Sequence, residues 1–209
     1  MLKDSLAALA GALLIAQGAV ALAASTVDLS LKGAITPSAC TPSLSDGGVV
    51  DYGKIAAKDL SPTGTTVLPR LSLQLTVDCE AQTLFALTGR DNRLGSSIFP
   101  ALNHMYGLGM VSGNVKLGAY QIGVFDPVAD EPVYPLYSSD QGATWLVNSF
   151  GSYMGHYHWT AFGDSTTPKA LRTVKVDLRF VTEIARVQDL PITEEMPIDG
   201  SATLDMIYL

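Results

Sequence analysis

Residues 200–209 read Gly-Ser-Ala-Thr-Leu-Asp-Met-Ile-Tyr-Leu, and this stretch is the strongest indication of the type of fold. Side chains alternate between two faces along a β-strand, so the pattern predicts a strand with one apolar face. That face carries four residues: Ala202, Leu204, Met206 and Tyr208. The sequence stops one residue after the tyrosine. We therefore expect a last strand with no later strand to pair with it, which leaves one sheet edge open for another chain.

The N-terminus has the pattern of a secretory signal peptide. Lys3 supplies a positive charge, residues 6–20 are apolar, and the Ala-Leu-Ala of residues 21–23 forms a small-x-small cleavage site. A membrane anchor is the alternative for so long an apolar run. We predict that residues 1–23 are removed on export, which leaves enough chain for one well-packed domain and too little for two sizeable ones.

The charge of the chain bears on its partners. The formal net charge is −7, and no basic stripe is present in the sequence. Nucleic-acid-binding proteins carry a clustered positive surface. The composition therefore predicts that nucleic acid is not a partner.

Two cysteines are present, Cys40 and Cys79. An even pair in an exported chain suggests a disulfide. Closing a loop of about forty residues would stabilise the fold by roughly 4 kcal/mol on the chain-entropy model. Metal ligation and a reactive thiol are the alternatives, but there is no Cys-x-x-Cys motif and no histidine near either cysteine in the sequence.

Most of the chain alternates apolar and polar residues with a period of two. The clearest runs are residues 71–79, 120–124 and 174–180, and shorter candidate strands are residues 49–52, 84–88, 133–137, 144–147 and 157–161. Turns rich in Gly, Pro, Asp and Ser separate them, and no helical stripe follows the signal. This organisation predicts an all-β sandwich, in which the glycine-rich residues 89–118 form a long surface excursion.

The segment before the first cysteine also alternates, with Val27, Leu29 and Leu31 on one face. The simpler interpretation is an ordinary first strand of the sandwich. The alternative is a donor strand that adds to the open edge of another subunit by β-augmentation. Three buried branched side chains would contribute on the order of 5–9 kcal/mol before the cost of ordering them.

Four ordered motifs carry a family resemblance: residues 31–40 (Leu-Lys-Gly-Ala-Ile-Thr-Pro-Ser-Ala-Cys), residues 49–55 (Val-Val-Asp-Tyr-Gly-Lys-Ile), residues 73–79 (Leu-Gln-Leu-Thr-Val-Asp-Cys) and the C-terminal residues 198–209. Together with the signal pattern they resemble subunits of chaperone–usher fimbriae (pili). The resemblance covers nearly the whole chain after the signal and is closest to a fimbrial-like branch known as a domain of unknown function.

The resemblance implies an incomplete immunoglobulin-like sandwich over residues 34–209 that lacks its last strand, preceded by a donor-strand extension at residues 24–33. In this scheme Val27, Leu29 and Leu31 are donated in trans to a neighbour. The groove strand, which also binds the chaperone, is formed by Gly200, Ala202, Leu204, Met206 and Tyr208. The implied partners are a periplasmic pilus chaperone, an outer-membrane usher and neighbouring fimbrial subunits.

The function implied is a structural subunit exported through the periplasm to a surface fimbrium by donor-strand exchange. The donor segment is short and the chain is longer than a typical shaft subunit, which favours a minor, adaptor or tip-proximal position. The alternative within cell adhesion is a tip adhesin that binds a surface glycan.

Three motifs are of types that can carry chemistry, yet we predict no enzyme, cofactor or metal. Gly163-Asp164-Ser165 is similar to the nucleophile block of some esterases, but it lies late in the chain between strand-like runs. His156 and His158 are spaced to share a strand face, yet no third ligand lies close in sequence. The aromatic residues Trp145, Tyr153, Tyr157 and Trp159 are expected in the core, with a glycan-binding surface as the alternative.

Overall fold

The computed structural model describes Ser30, Lys32 and residues 39–147 and 151–209. The chain divides into two units, Met1–Ile35 and Thr36–Leu209, and all of the described strands belong to the second unit. The predicted signal peptide and the donor residues Val27, Leu29 and Leu31 lie outside the described residues, so those assignments stay predictions.

Fifteen strands are described, and in chain order they are β1 (Cys40–Leu44), β2 (Thr66–Val67), β3 (Leu71–Thr83), β4 (Phe85–Asp91), β5 (Tyr106–Gly107), β6 (Met110–Val111), β7 (Val115–Lys116), β8 (Gly118–Ala129), β9 (Tyr134–Ser138), β10 (Leu146–Val147), β11 (Ser152–Met154), β12 (Trp159–Asp164), β13 (Thr167–Pro168), β14 (Leu171–Ile184) and β15 (Ala202–Tyr208). Three short 3-10 segments accompany them: Ser45–Gly48, Ala57–Asp59 and Val187–Asp189.

The strands form two large open sheets and one small hairpin. The first sheet has the order β1-β3-β14-β8-β11, with β2 added to β14 and β5 added to β8. The second has the order β10-β9-β12-β4-β15, with β13 added to β12, and β6 pairs with β7 separately. The fold is therefore an all-β, sandwich-like arrangement of open sheets, as the period-two pattern predicts.

The core lies between the two sheets, and strand alternation explains its composition. Leu75, Val77 and Val176 enter it from the first sheet, while Leu87 and Phe162 enter it from the second. All five side chains are almost completely buried. The long, clean alternation in β3 and β14 fixes their register, because a slip by one residue would turn these side chains to solvent.

Two local predictions are wrong. Residues 49–52 form no strand; Val50 and Tyr52 instead pack against the core from an extended loop, and the Tyr52 hydroxyl donates to Thr182 Oγ1 over 2.9 Å. Residues 89–118 are only partly a surface excursion, since Tyr106 and Leu108 within them are buried. Apolar residues in irregular segments can fill a core without pairing in a sheet, which a pattern based on period cannot reveal.

Within the described part of the chain, no helix has the length and apolar character needed to cross a membrane.

Candidate functional site

Strand β15 pairs with one described strand, on one of its two sides. It pairs antiparallel with β4 along its whole length, from Ala202 opposite Asp91 to Tyr208 opposite Phe85. Among the residues the structure describes, no strand pairs with its other side. Its N–H and C=O groups on that side are therefore available to an added strand.

The side chains of β15 alternate as the sequence predicts. Ala202, Leu204 and Met206 pack against the core but remain only partly buried. On the opposite face, Asp205 forms an ion pair with Arg90 at 3.6 Å, and Thr203 hydrogen-bonds the amide of Asn92. A strand whose inward apolar face is incompletely covered marks a place where the sandwich lacks packing.

The edge of the first sheet that faces β15 is β1. Cys40 of β1 lies directly opposite Cys79 of β3 in the strand register, and the two cysteines form the predicted disulfide. The backbone N–H of Cys40 donates to the Tyr208 hydroxyl over 3.2 Å. This bond joins the two sheet edges at one end of the opening between them. Tyr208 is 43% exposed, so it serves as a link across the edges rather than as a core residue.

Between these two edges lies a cavity of about 240 Å³. Leu44 on β1 and Leu204 on β15 form part of its rim, and Leu73, Leu178 and Phe180 from the core also line it. None of the sixteen residues that line it carries a formal charge. The opening therefore gives access to apolar core surface, which suits the side chains of an extended apolar segment.

A second cavity, of about 500 Å³, shares Val50, Tyr52 and Ile198 with the first. Apolar residues such as Leu117 and Ile184 line it together with four charged residues, Asp51, Lys54, Glu194 and Glu195. Burial raises the pKa of the Tyr52 hydroxyl above its ordinary value, so this group stays neutral and donates a hydrogen bond. We call the two cavities together the groove.

The loop before β15 is held in place where the two cavities meet. Gly200 precedes the strand, and a side chain there would come within 2.9 Å of the Tyr120 ring. The guanidinium of Arg93 donates to the carbonyl oxygen of Asp199 at 3.1 Å and to its carboxylate at 2.7 Å. Gly200 lines the first cavity, and only a hydrogen side chain at this position leaves room for the buried tyrosine.

The loop residues of the groove were not predicted from the sequence. Val50, Tyr52 and Ile198 line both cavities, although none of them belongs to a strand. Val50, Tyr52 and Ile198 fall within two of the family motifs, residues 49–55 and 198–209, but these motifs lie far apart in the chain and do not reveal that their residues meet. Tertiary contact alone brings these two segments together.

The residues considered for catalysis and metal binding lie elsewhere. Ser165 is exposed with a φ of 51° in the turn between β12 and β13, which is a hairpin rather than the strand-to-helix elbow of a hydrolase. His156 and His158 lie in the turn that joins β11 to β12. Among the described residues, no three His, Cys, Asp or Glu side chains are placed to hold a metal ion.

The aromatic residues divide between core and surface. Trp145 is buried and Trp159 is half-buried, as expected for a core role. The prediction is wrong for Tyr153 and Tyr157, which are 47% and 76% exposed.

Comparison with known proteins identifies relatives of this chain. Residues 29–102 match a family described as "Protein of unknown function (DUF1120)". Protein GltF of Escherichia coli (strain K12) is 30% identical over 247 aligned residues, which cover 97% of this chain and 96% of that protein. "Uncharacterized protein YhcF" of the same organism is 25% identical over 223 residues, covering 90% of this chain and 93% of that protein.

Proposed function

The chain belongs to the family of protein GltF, and from the geometry of its groove we propose that it is a structural subunit of a surface fimbrium, assembled by donor-strand exchange. The observation that carries the proposal is that, in the described part of the chain, β15 pairs on one side only and lies beside an uncharged cavity that reaches the core. A segment that added itself to this edge would gain main-chain hydrogen bonds and bury apolar side chains.

The proposal assigns the donor to residues 24–33, with Val27, Leu29 and Leu31 entering the groove of a neighbouring subunit. Their spacing of two residues matches the inward-facing Ala202, Leu204 and Met206 on β15. The sandwich would thus be completed in trans. The disulfide between Cys40 and Cys79 would hold β1 on β3 while the groove of the same subunit is empty.

The same proposal names the partners and the route. A periplasmic chaperone occupies the groove first, an outer-membrane usher exchanges it for the donor segment of another subunit, and the product is a fimbrium at the cell surface. Residues 1–23 direct export. The protein acts by assembly rather than by catalysis, in a minor, adaptor or tip-proximal position.

Complementation by a peptide tests the donor assignment. A variant that lacks residues 24–32 is mixed with a peptide of residues 24–33, and its thermal unfolding is followed. We expect the peptide to raise the Tm, and the same peptide with Leu29→Asp to leave it unchanged, because a charge cannot be buried unpaired against the uncharged residues that line the cavity beside β15. An unchanged Tm with the unmodified peptide would contradict the assignment.

A pair of substitutions on β15 tests whether the groove is the acceptor. Leu204→Asp places a carboxylate on the inward face, whereas Ile207→Asp places one on the opposite face of the same strand. Only Leu204→Asp should abolish the rise in Tm. Equal responses of both variants to the peptide would place the binding site elsewhere.

Co-expression tests the role of the chaperone. The full-length chain, with and without residues 207–209, is expressed with a candidate periplasmic chaperone, and the stable complex in the periplasm is measured. We expect recovery to depend on these residues. Equal recovery of a soluble monomer with or without the chaperone would mean that the domain completes itself.

A further inference from the structure

The chain's three histidines and the exposed Tyr153 and Tyr157 lie on β11, on the turn that follows it and on the loop between β4 and β5. The backbone N–H of His156 donates to the backbone carbonyl oxygen of Asn103 over 2.8 Å, which joins the turn between β11 and β12 to the loop between β4 and β5. The ring of His104 stacks on that of Tyr153, with centroids 5.4 Å apart. Asn103 Nδ2 lies 3.3 Å from His158 Nε2. We call Asn103, His104, Tyr153, Tyr157 and His158 the histidine–tyrosine surface.

This surface lies away from the Tyr208 end of the groove. Strand β12 begins at Trp159, which pairs with Thr88 of β4. The loop that carries Asn103 begins after Asp91, at the end of β4 that pairs with Ala202. Tyr208 pairs with Phe85 at the other end of β4. A ligand on the histidine–tyrosine surface would therefore leave the Cys40–Tyr208 link untouched, and the inference stands independently of the function proposed for the groove.

Tyr157 has a positive φ, a backbone conformation that is unfavourable for a bulky residue. The N–H of His158 donates to the carbonyl oxygen of Gly155 over 3.2 Å, so residues 155–158 form a turn with Tyr157 at its third position. Its φ is 65°, as in a type II turn, where glycine is the favoured residue because a Cβ is strained there. The side chain is 76% exposed, so the strain is not offset by burial in the core. Strain of this kind is concentrated at functional sites.

The imidazole rings of His104 and His156 are uncharged. Burial lowers the pKa of both His104 and His156 below the ordinary imidazole value, so both rings are uncharged at neutral pH. The nearest buried carboxylate, that of Asp91, accepts hydrogen bonds from the backbone N–H groups of Arg93 and Gly107 at 2.7 and 2.8 Å. Among the contacts described for this surface, no lysine or arginine takes part.

From these observations we propose that the histidine–tyrosine surface binds a neutral carbohydrate. The exposed phenol rings offer flat apolar faces on which the C–H face of a pyranose can pack, and the tyrosine hydroxyls, the Asn103 amide and the imidazoles offer hydrogen-bonding groups to sugar hydroxyls. The absence of a cation among the described contacts disfavours sialylated, sulfated or phosphorylated ligands, whose charge would need a partner.

Substitution of Tyr157 tests the site without risking the fold. Tyr157→Gly removes the ring and also relieves the strain, so it should raise the Tm while lowering carbohydrate binding at least tenfold. Tyr134→Ala is the matched control, because Tyr134 is 51% exposed but pairs with Gly163 at the far end of β12. It should leave binding unchanged.

The binding measurement uses the full mature chain and a defined set of probes. Neutral oligosaccharides ending in glucose, galactose, mannose or N-acetylglucosamine are compared with sialylated and sulfated ones by saturation-transfer NMR. We expect a signal from at least one neutral probe that disappears in Tyr157→Gly and persists in Tyr134→Ala. The proposal is overturned if no neutral probe binds, if only charged probes bind, or if Tyr157→Gly binds as well as the wild type.

Discussion

The hydroxyl of Tyr208 accepts a hydrogen bond from the backbone N–H of Cys40 over 3.2 Å, across 168 residues of sequence. It joins the edge of one sheet to the edge of the other, and the disulfide continues the connection from Cys40 to Cys79 on β3. At this end of the groove, the hydrogen bond connects β15 to β1, and the disulfide connects β1 to β3.

The first prediction concerns this hydrogen bond. Tyr208→Phe keeps the ring but removes the acceptor, and we expect it to lower the free energy of unfolding by about 0.5–1.5 kcal/mol, the usual net value of one hydrogen bond. Urea unfolding provides the measurement. Tyr134→Phe, at an exposed tyrosine on β9, should be neutral. Equal effects of the two substitutions would show that the link contributes nothing.

The second prediction concerns the disulfide. Replacing both Cys40 and Cys79 with alanine removes a loop constraint that spans 39 residues of sequence separation. The free energy of unfolding should fall by roughly 4 kcal/mol on the chain-entropy model. Adding a reductant to the wild type should reproduce the loss and should have no effect on the double variant. A variant as stable as the wild type would show that β1 stays on β3 without the bond.

The third prediction concerns the close packing of Gly89 on Tyr106. A Cβ at Gly89 would overlap the Tyr106 hydroxyl, which is buried and donates to the Met154 carbonyl oxygen at 2.8 Å. Gly89→Ala should therefore cost about 1–3 kcal/mol, the usual range for overpacking. Thermal unfolding measures the loss, and Gly64→Ala is the control because its nearest neighbour would be 3.5 Å away.

A double-mutant cycle identifies the cause of that loss. Tyr106→Phe removes the oxygen that Gly89→Ala would meet, so the two changes together should cost less than the sum of their separate effects. Strict additivity would mean that the strain arises elsewhere.

The fourth prediction concerns pH. Burial is the main reason that the pKa of His156 lies below its ordinary value; Asp91 opposes this shift and His158 adds to it. Because the unfolded chain binds the proton more readily, the stability from the neutral ring is fully present above a pH of about 6.5 and is lost as the pH falls below it. His104 acts in the same direction.

Unfolding experiments between pH 7.5 and pH 5 measure this effect. His156→Gln cannot titrate in this range, so the decrease in stability on acidification should be smaller than in the wild type. An identical decrease would assign the pH dependence to other groups.

Period-two alternation was enough to predict the all-β sandwich and the inward faces of β3, β14 and β15. It succeeded because each of these strands buries one face. The alternation then identifies the inward residues, and a slip by one residue would expose them. The pairing of Cys40 with Cys79 also followed from the sequence, because two cysteines allow only one internal bond.

The pattern failed where apolar residues are buried without forming strands. Val50, Tyr52 and Ile198 line the groove from loops, and Tyr106 fills the core from a segment expected at the surface. Burial of these residues depends on the packing of distant segments, which leaves no periodic trace in the chain. The exposure of Tyr153 and Tyr157 was missed for the related reason that aromatic residues are common both in cores and at binding surfaces.

The sequence by itself determined the strand pattern of β15, with Ala202, Leu204 and Met206 on one face, because alternation is a property of a single strand. Only the tertiary structure decided that, within the described residues, this strand pairs on one side and that its other side leads to a cavity lined by Leu73, Leu178 and Phe180. The strained backbone of Tyr157 likewise became visible only in three dimensions, because φ depends on how a turn closes and on the loop against which it packs.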